Sequence, residues 1–319
     1  MQLAKSAMLV SVSIVNGGLL GERRDNQASL LVENTYNIAN RRTKASKYLI
    51  DRKHKSVRQV VAASQRVREI VYKYTFPWGD DKSRLLPVKL ADNFRAKVET
   101  AIEELKETRE NYIQHYPALV SASERDLGKL FDRSQYPPID QIRNLFTTKL
   151  TYWPIPESGN FIAEISNEAA RDAKESIERE IEERLIEATY NLVSRAKDVV
   201  STYVDKLENY KPAVNGDDTE NPFDIKSQGS FRDSLVNNIK DTANLIEQMN
   251  LTENPQIKKV IKDLNRLSGF AAYHLRKSED IRQRALSAGQ EILVNLTMLD
   301  LKDKEISTMV DDTGDYMDA

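Results

Sequence analysis

Catalysis needs groups that converge, and the side chains able to supply it are sparse in this sequence. The three histidines stand at 54, 115 and 274, without the HExxH or HxH spacing that brings imidazoles together on one metal. There is no cysteine, which removes disulfides, thiolate zinc sites, iron–sulfur clusters and a thiol nucleophile. Carboxylates are plentiful but poorly placed. Glu103-Glu104 and Glu182-Glu183 lie in helical patterns whose apolar stripe is elsewhere. Asp217-Asp218, and Asp311-Asp312 with Gly314 and Asp315, lack the alternate oxygen ligands and distal Glu of a calcium loop. Gly128-Lys129 lacks the preceding glycine of a phosphate loop, and neither GxSxG nor GxGxxG occurs. The expectation is a protein that is not an enzyme, with no catalytic residues, no metal and no cofactor.

Two groups of residues suggest binding instead. From Arg41 to Lys73 eleven Lys or Arg stand against Asp51 and Glu69, a net charge of +9. Within it Arg41, Arg42, Lys44, Lys47, Arg52, Lys53, Lys55 and Arg58 form a cluster suited to tracking phosphates, with Tyr48 available to stack on a base. The plain alternative is a solvated helix face that docks on acidic faces elsewhere, in a chain whose net charge is −2. The second group is a set of aromatic–proline loops: Phe76-Pro77-Trp78-Gly79-Asp80, Arg84-Leu85-Leu86-Pro87, Tyr116-Pro117 and Tyr136-Pro137. If exposed, Phe76, Pro77, Trp78, Asp80, Arg84, Tyr116 and Tyr136 form a docking knob for a protein partner. If buried, they close the end of a core.

The elements that must position these residues are mainly helical. Gly 11 and Pro 10 are few for 319 residues, of which 40% are hydrophobic and 30% charged. Such a chain is too apolar for disorder along its length, too charged for a membrane protein and too poor in turn formers for a β-sandwich or barrel. The longest uncharged run, Ser6 to Gly21, is shorter than the roughly 20 residues of a membrane-spanning helix. Inside it Leu9-Val10-Ser11-Val12-Ser13-Ile14-Val15 alternates and meets Asn16-Gly17-Gly18. This reads as a strand and turn rather than a signal peptide, in a cytoplasmic protein.

Leu30, Leu31, Tyr36 and Ile38 then begin a helical pattern. Val57, Val60, Val61, Val67, Ile70, Val71 and Tyr74 continue it until Thr75-Phe76-Pro77 stops it. Pro87 suits the first turn of a helix through Leu90, Phe94, Val98, Leu105 and Tyr112, which Pro117 kinks or restarts. Lys149–Ile155 and Phe161–Ile165 read as two strands about a Pro156-Glu157-Ser158-Gly159 turn. From Asn167 to Tyr210, residues Ile177, Ile181, Leu185, Ala188, Leu192, Ala196, Val199, Tyr203 and Leu207 advance by threes and fours. That predicts one helix of about 60 Å, with the Leu90–Tyr112 helix as its expected partner.

The expected fold is therefore mainly α, an elongated helical bundle or antiparallel coiled-coil hairpin with a small two- or three-stranded β element. That unit covers residues 1–210, with strands near 8–15, 148–155 and 161–165. A linker follows at 211–229 and a C-terminal helical unit at 230–299, begun by Ser230 and resumed at Asn254-Pro255. An acidic tail at 300–319, net charge −5, is expected to be flexible.

Several of these segments occur in an order that resembles a known family. A strand like Leu9-Val10-Ser11-Val12-Ser13-Ile14 is followed by Phe76-Pro77-Trp78-x-Asp80 and Arg84-Leu85-Leu86-Pro87. Tyr116-Pro117-x-Leu119-Val120, Leu127-Gly128-x-Leu130-Phe131 and Tyr136-Pro137 come next, then Phe231-Arg232-x-Ser234-Leu235, Asn238 and Leu251-Thr252. The set is similar to a phage and bacterial family catalogued as domain of unknown function number three thousand one hundred and fifty, over residues 8 to 165 and more loosely 229 to 268. Asn16-Gly17-Gly18 departs from the Trp-containing turn of that family. The resemblance brings no catalytic residues. It implies a phage or prophage setting beside genes for a MoxR-like or cobaltochelatase-like AAA+ ATPase and a von Willebrand-type metal-binding protein. It thus implies an interaction or adaptor protein of the host cytoplasm, whose partner is that ATPase or a second copy of itself; the basic segment keeps nucleic acid as the alternative partner, and the composition points to no membrane.

Overall fold

A computed structural model describes residues 3–17, 19–39, 42–79, 82–155, 167–210 and 233–312, with backbone alone at 167–170 and 300–312. The chain is mostly helical, with two small antiparallel sheets. Helix α1 (Leu3–Ser6) leads into strand β1 (Ala7–Asn16), where the serine alternation predicted a strand. Two short elements, β2 (Glu22–Asp25) and β3 (Ala45–Tyr48), pair with each other and enclose helix α2 (Asn26–Thr35). Helix α3 (Lys55–Tyr74) ends as expected before Pro77.

The Phe76–Pro87 region is a correction to its reading as loops. It holds strands β4 (Phe76–Pro77) and β5 (Arg84–Pro87), a hairpin paired Phe76 to Leu85 and Pro77 to Arg84. Pro77 is tolerated because β4 is an edge strand, where a missing N–H breaks no central ladder. After it come α4 (Ala91–Leu127), α5 (Ile139–Leu145) and β6 (Phe146–Trp153). Strand β6 pairs with β1 from Phe146 opposite Asn16 to Trp153 opposite Leu9, giving the order β4-β5-β1-β6. The 161–165 strand expected beside it lies outside the described residues. One face of the sheet, with Val10, Val12 and Ile14, packs on the core, while Ser13, Val15, Thr147 and Lys149 stay exposed, as a one-sided antiparallel sheet requires.

Pro117 neither stops nor restarts α4, which runs as one 37-residue helix. Tyr112, Ile113, Tyr116, Leu119 and Val120 are buried on both sides of it, and that packing outweighs the roughly 3 kcal/mol an interior proline costs. Helix α6 (Asn167–Glu208) occupies the predicted stretch. It is followed by α7 (Ser234–Met249), α8 (Pro255–Ser268), α9 (Ala272–Lys277) and α10 (Glu279–Asp312). Asn254 caps α8 by accepting from the Gln256 N–H at 2.8 Å, with Pro255 in the first turn as predicted. Ser230 and the 211–229 linker lie outside the described residues. Helix α10 continues past Leu296 to Asp312.

The expected hairpin between the two longest helices is not what forms. Helix α4 packs on α3, whereas α6 packs on α10, α7 and α8. The choice follows from side-chain size. Val57, Val60, Val67 and Val71 of α3 meet the Phe94, Val98, Leu105 stripe of α4, while α10 offers Ala285, Ala288 and Gly289 to α6. A Cβ at Gly289 would stand 2.9 Å from Cγ2 of Val204, so the two helices approach too closely for a larger residue there. Among the described residues no helix is long and apolar enough to cross a membrane.

The two halves meet at a partly buried guanidinium. Arg195 of α6 donates through Nη2 to the carbonyls of Tyr72 (2.9 Å) and Thr75 (3.0 Å) and through Nη1 to that of Lys73. These are the carbonyls of the last turn and C-cap of α3, which have no intrahelical donor, at the negative end of the helix dipole; that of Thr75 also accepts from Arg84 Nη2 at 3.3 Å. Arg84 joins from β5, with Nε to the Thr75 hydroxyl at 2.6 Å. Burial, with the Arg84 charge beside it, pushes the Arg195 pKa down to about 10, so the group stays charged at neutral pH. Arg195→Met is expected to cost roughly 2–4 kcal/mol in chemical denaturation, with Arg195→Lys recovering part of it. A loss below about 0.5 kcal/mol would contradict this joint.

Candidate interaction surface

The aromatic–proline residues are inside the protein. Phe76, Trp78, Tyr116 and Tyr136 are buried, and Pro77 and Arg84 are partly so; Asp80 lies outside the described residues. Tyr116 donates to the Pro137 carbonyl at 3.0 Å, and burial raises its pKa to about 12. Tyr136 donates to the Leu49 carbonyl at 2.8 Å and stacks on Phe131 at 4.9 Å between centroids. Arg84 is spent on Thr75 and on the Tyr72 ring. The docking knob is thus corrected to the end of a core. An apolar ring that closes its own hydrophobic cluster gains nothing from being offered to a partner.

The basic cluster divides. Arg42, Lys44, Arg52, Lys53, Lys55 and Arg58 are exposed, and Arg41 lies outside the described residues. Lys47 is a correction, since its side chain is only 8% exposed. It pairs with Asp25 at 2.8 Å and donates to the Leu130 carbonyl. Arg52 lies over the Tyr48 ring at 4.9 Å and donates to its hydroxyl. His54 caps α3 by accepting from the Ser56 N–H, a structural duty. Among the described residues no group of three or more His, Cys, Asp or Glu could hold a metal ion.

The sequence reading saw a helical pattern from Leu30 to Ile38 but missed which way α2 faces. The β2–α2–β3 unit stands on the body through buried Leu19, Leu20, Leu49 and Ile50. Asp25 caps α2, accepting from the Ala28 N–H at 2.9 Å. The helix ends at Asn37, whose φ of 51° reverses the chain in the left-handed conformation. Its buried side chains are polar: Ser29, whose hydroxyl donates to the Asp25 carbonyl at 2.6 Å and accepts from the Ala45 N–H at 3.0 Å, and Glu33, whose carboxylate accepts from the Thr43 N–H and hydroxyl at 3.1 Å each. Its exposed side chains include an apolar group, Leu30 at 52%, Leu31 at 67% and Val32, with the C-cap Tyr36 at 73%, beside exposed Asn26, Gln27, Asn34 and Thr35.

This is the reverse of an ordinary surface helix, which turns its apolar stripe inward. Burying a leucine is worth roughly 1.5–3 kcal/mol, so the free chain forgoes several kcal/mol at this face. A groove of about 420 Å³ runs along α2, lined by Arg24, Asn26, Ser29, Leu30 and Glu33. The signal in the sequence was the pairing of Ser29 with Glu33 at helical spacing beside the consecutive apolar run Leu30-Leu31-Val32.

No protein-family model, no curated protein and no solved structure matches the chain.

The Asp25–Lys47 pair fixes the unit. The Ala28 N–H, and then Lys47, hold the Asp25 carboxyl below its usual range. Its stabilising contribution is therefore complete above the ordinary carboxylate pKa and is lost as pH falls through the lowered value. Asp25→Asn keeps an oxygen for the cap but leaves Lys47 without a counter-charge. It is expected to cost roughly 1–3 kcal/mol near neutral pH, read by urea denaturation, and to flatten the acid limb of the stability profile. An unchanged acid limb would contradict this assignment.

Proposed function

We propose that the protein is a non-enzymatic interaction protein, an adaptor that holds a protein partner on the outward face of α2. The observation that carries this reading is the inverted burial of that helix, with polar Ser29 and Glu33 inside and Leu30, Leu31 and Tyr36 outside. An exposed apolar cluster held on a hydrogen-bonded support is the usual mark of a surface that another molecule covers. The family resemblance supplies the partner class, a MoxR-like AAA+ ATPase, and with it a phage-encoded adaptor acting in the host cytoplasm.

A second reading has its own support. Arg42, Lys44, Arg52, Lys53, Lys55 and Arg58 are exposed and make no close ion pair among the described residues, and such a cluster of cations suits phosphate. Under that reading the affinity for duplex DNA falls with salt at a log–log slope of about −0.9 per neutralised phosphate.

A photo-crosslinking residue at position 31 of the full-length protein, in native cells treated with nuclease, separates the two. The adaptor reading predicts a nuclease-resistant crosslink to a protein, undiminished when Arg52, Lys53, Lys55 and Arg58 are changed to Glu. Crosslinks to nucleic acid alone, abolished by those changes, would transfer the assignment to the basic residues.

A further inference from the structure

The charges around α2 narrow what can cover it. Arg23, Arg24, Arg42 and Lys44 are exposed, and none of them makes an ion pair among the described residues. Arg24 shares the groove with Leu30. Lys44 lies between Thr43 and Ala45, the two residues that bond to Glu33 and Ser29 of the helix. Of the carboxylates of this unit, Asp25 pairs with Lys47, Glu33 accepts from Thr43, and Glu22 accepts from Tyr48 and Ser46 with its charge near Arg52 and Lys44. The surface is thus an apolar centre with a rim in which cations outnumber carboxylates.

Resting on the adaptor reading above, we propose that the occupant is an acidic amphipathic helix of the partner, laid along α2 with its apolar side on Leu30, Leu31 and Tyr36 and its carboxylates on the rim. Each feature selects it. A second copy of this chain would bring Arg24 and Lys44 against the same cations, a like-charge arrangement that disfavours pairing. Nucleic acid would satisfy the rim but gain nothing from two leucines. A helix with apolar residues at three- and four-residue steps and Glu or Asp beside them answers both. Helix α2 spans ten residues, about 15 Å at 1.5 Å per residue, so about three turns of the occupant are enough.

The test uses the full-length protein and fluorescent synthetic helices of about 15 residues, one patterned with Leu and Glu, the other with the same Leu and Lys for Glu. Anisotropy is expected to show the Leu/Glu peptide binding at least ~10-fold more tightly than the Leu/Lys peptide, with added salt weakening it. Leu30→Ser with Leu31→Ser should weaken it by at least ~10-fold. Arg24→Glu with Lys44→Glu, which leaves the apolar centre untouched, should reverse the preference towards the Leu/Lys peptide.

Equal binding of both peptides, or binding indifferent to both double variants, overturns the proposal. So does tighter binding of a duplex oligonucleotide or of vesicles containing phosphatidylserine, with the same dependence on these residues. If neither peptide binds while position 31 still crosslinks to a protein, the acidic helix is wrong and the adaptor reading stands. If both experiments fail, both readings fall.

Discussion

The Arg195 guanidinium is the constraint on which the arrangement of the two halves depends. It is partly buried, no carboxylate pairs with it among the described residues, and taking such a charge out of water is costly. What offsets that cost is the place it occupies. Three carbonyls at the end of α3 need donors and lie at the negative pole of their helix, with the Phe76 ring 5.9 Å from the guanidinium carbon. One side chain thus terminates α3, covers the β4–β5 hairpin and seats α6. A second arginine, this one buried, does comparable work at the other end of β1. Arg109 of α4 donates to the Val15 and Thr147 carbonyls, the Asn16 side chain and the Thr148 hydroxyl, tying the helix to both central strands. Arginine suits these joints because its planar fork serves several acceptors at once.

The β2–α2–β3 unit is built on the opposite principle. In the body, apolar side chains meet and polar groups serve the few places where backbone would otherwise go unsatisfied. In this unit the inward contacts are hydrogen bonds and one ion pair, and the apolar side chains are left over. A small unit held in that way does not need its leucines for its own support, so they remain available to another surface. The proposed binding role of α2 rests on that division of labour, whereas the aromatic residues close the core.

Local chemistry was legible in the sequence, and pairing was not. The Asn254-Pro255 start of α8 and the stop of α3 before Pro77 depend on residues within a turn of one another, and they were read correctly. The apolar stripes of α4 and α6 were equally plain, but a stripe does not name its partner. Only side-chain sizes at positions such as Gly289 decide that α10, rather than α4, covers α6. Strands β4 and β5 are two and four residues long and exist because they pair, which no periodicity over such lengths reveals. Trp78 and Tyr136 were legible as important and illegible as buried, because an aromatic residue beside proline suits a core edge and an interface alike. Lys47 counted as part of a basic surface until its cross-strand environment supplied Asp25. The exposure of Leu30 and Leu31 was hidden by the convention that apolar helix residues face inward.

The central claim is that α2 is folded with its apolar side outward in the free protein. Amide hydrogen exchange of the full-length protein without a partner tests it most directly. The account predicts that the amides of Leu31 through Thr35, bonded within α2, exchange at least ~100-fold more slowly than unstructured chain, although the side chains of Leu31 and Tyr36 face solvent. Exchange at the unstructured rate across α2, with α3 and α4 protected, would contradict it: the helix would then have no fixed outward face to offer.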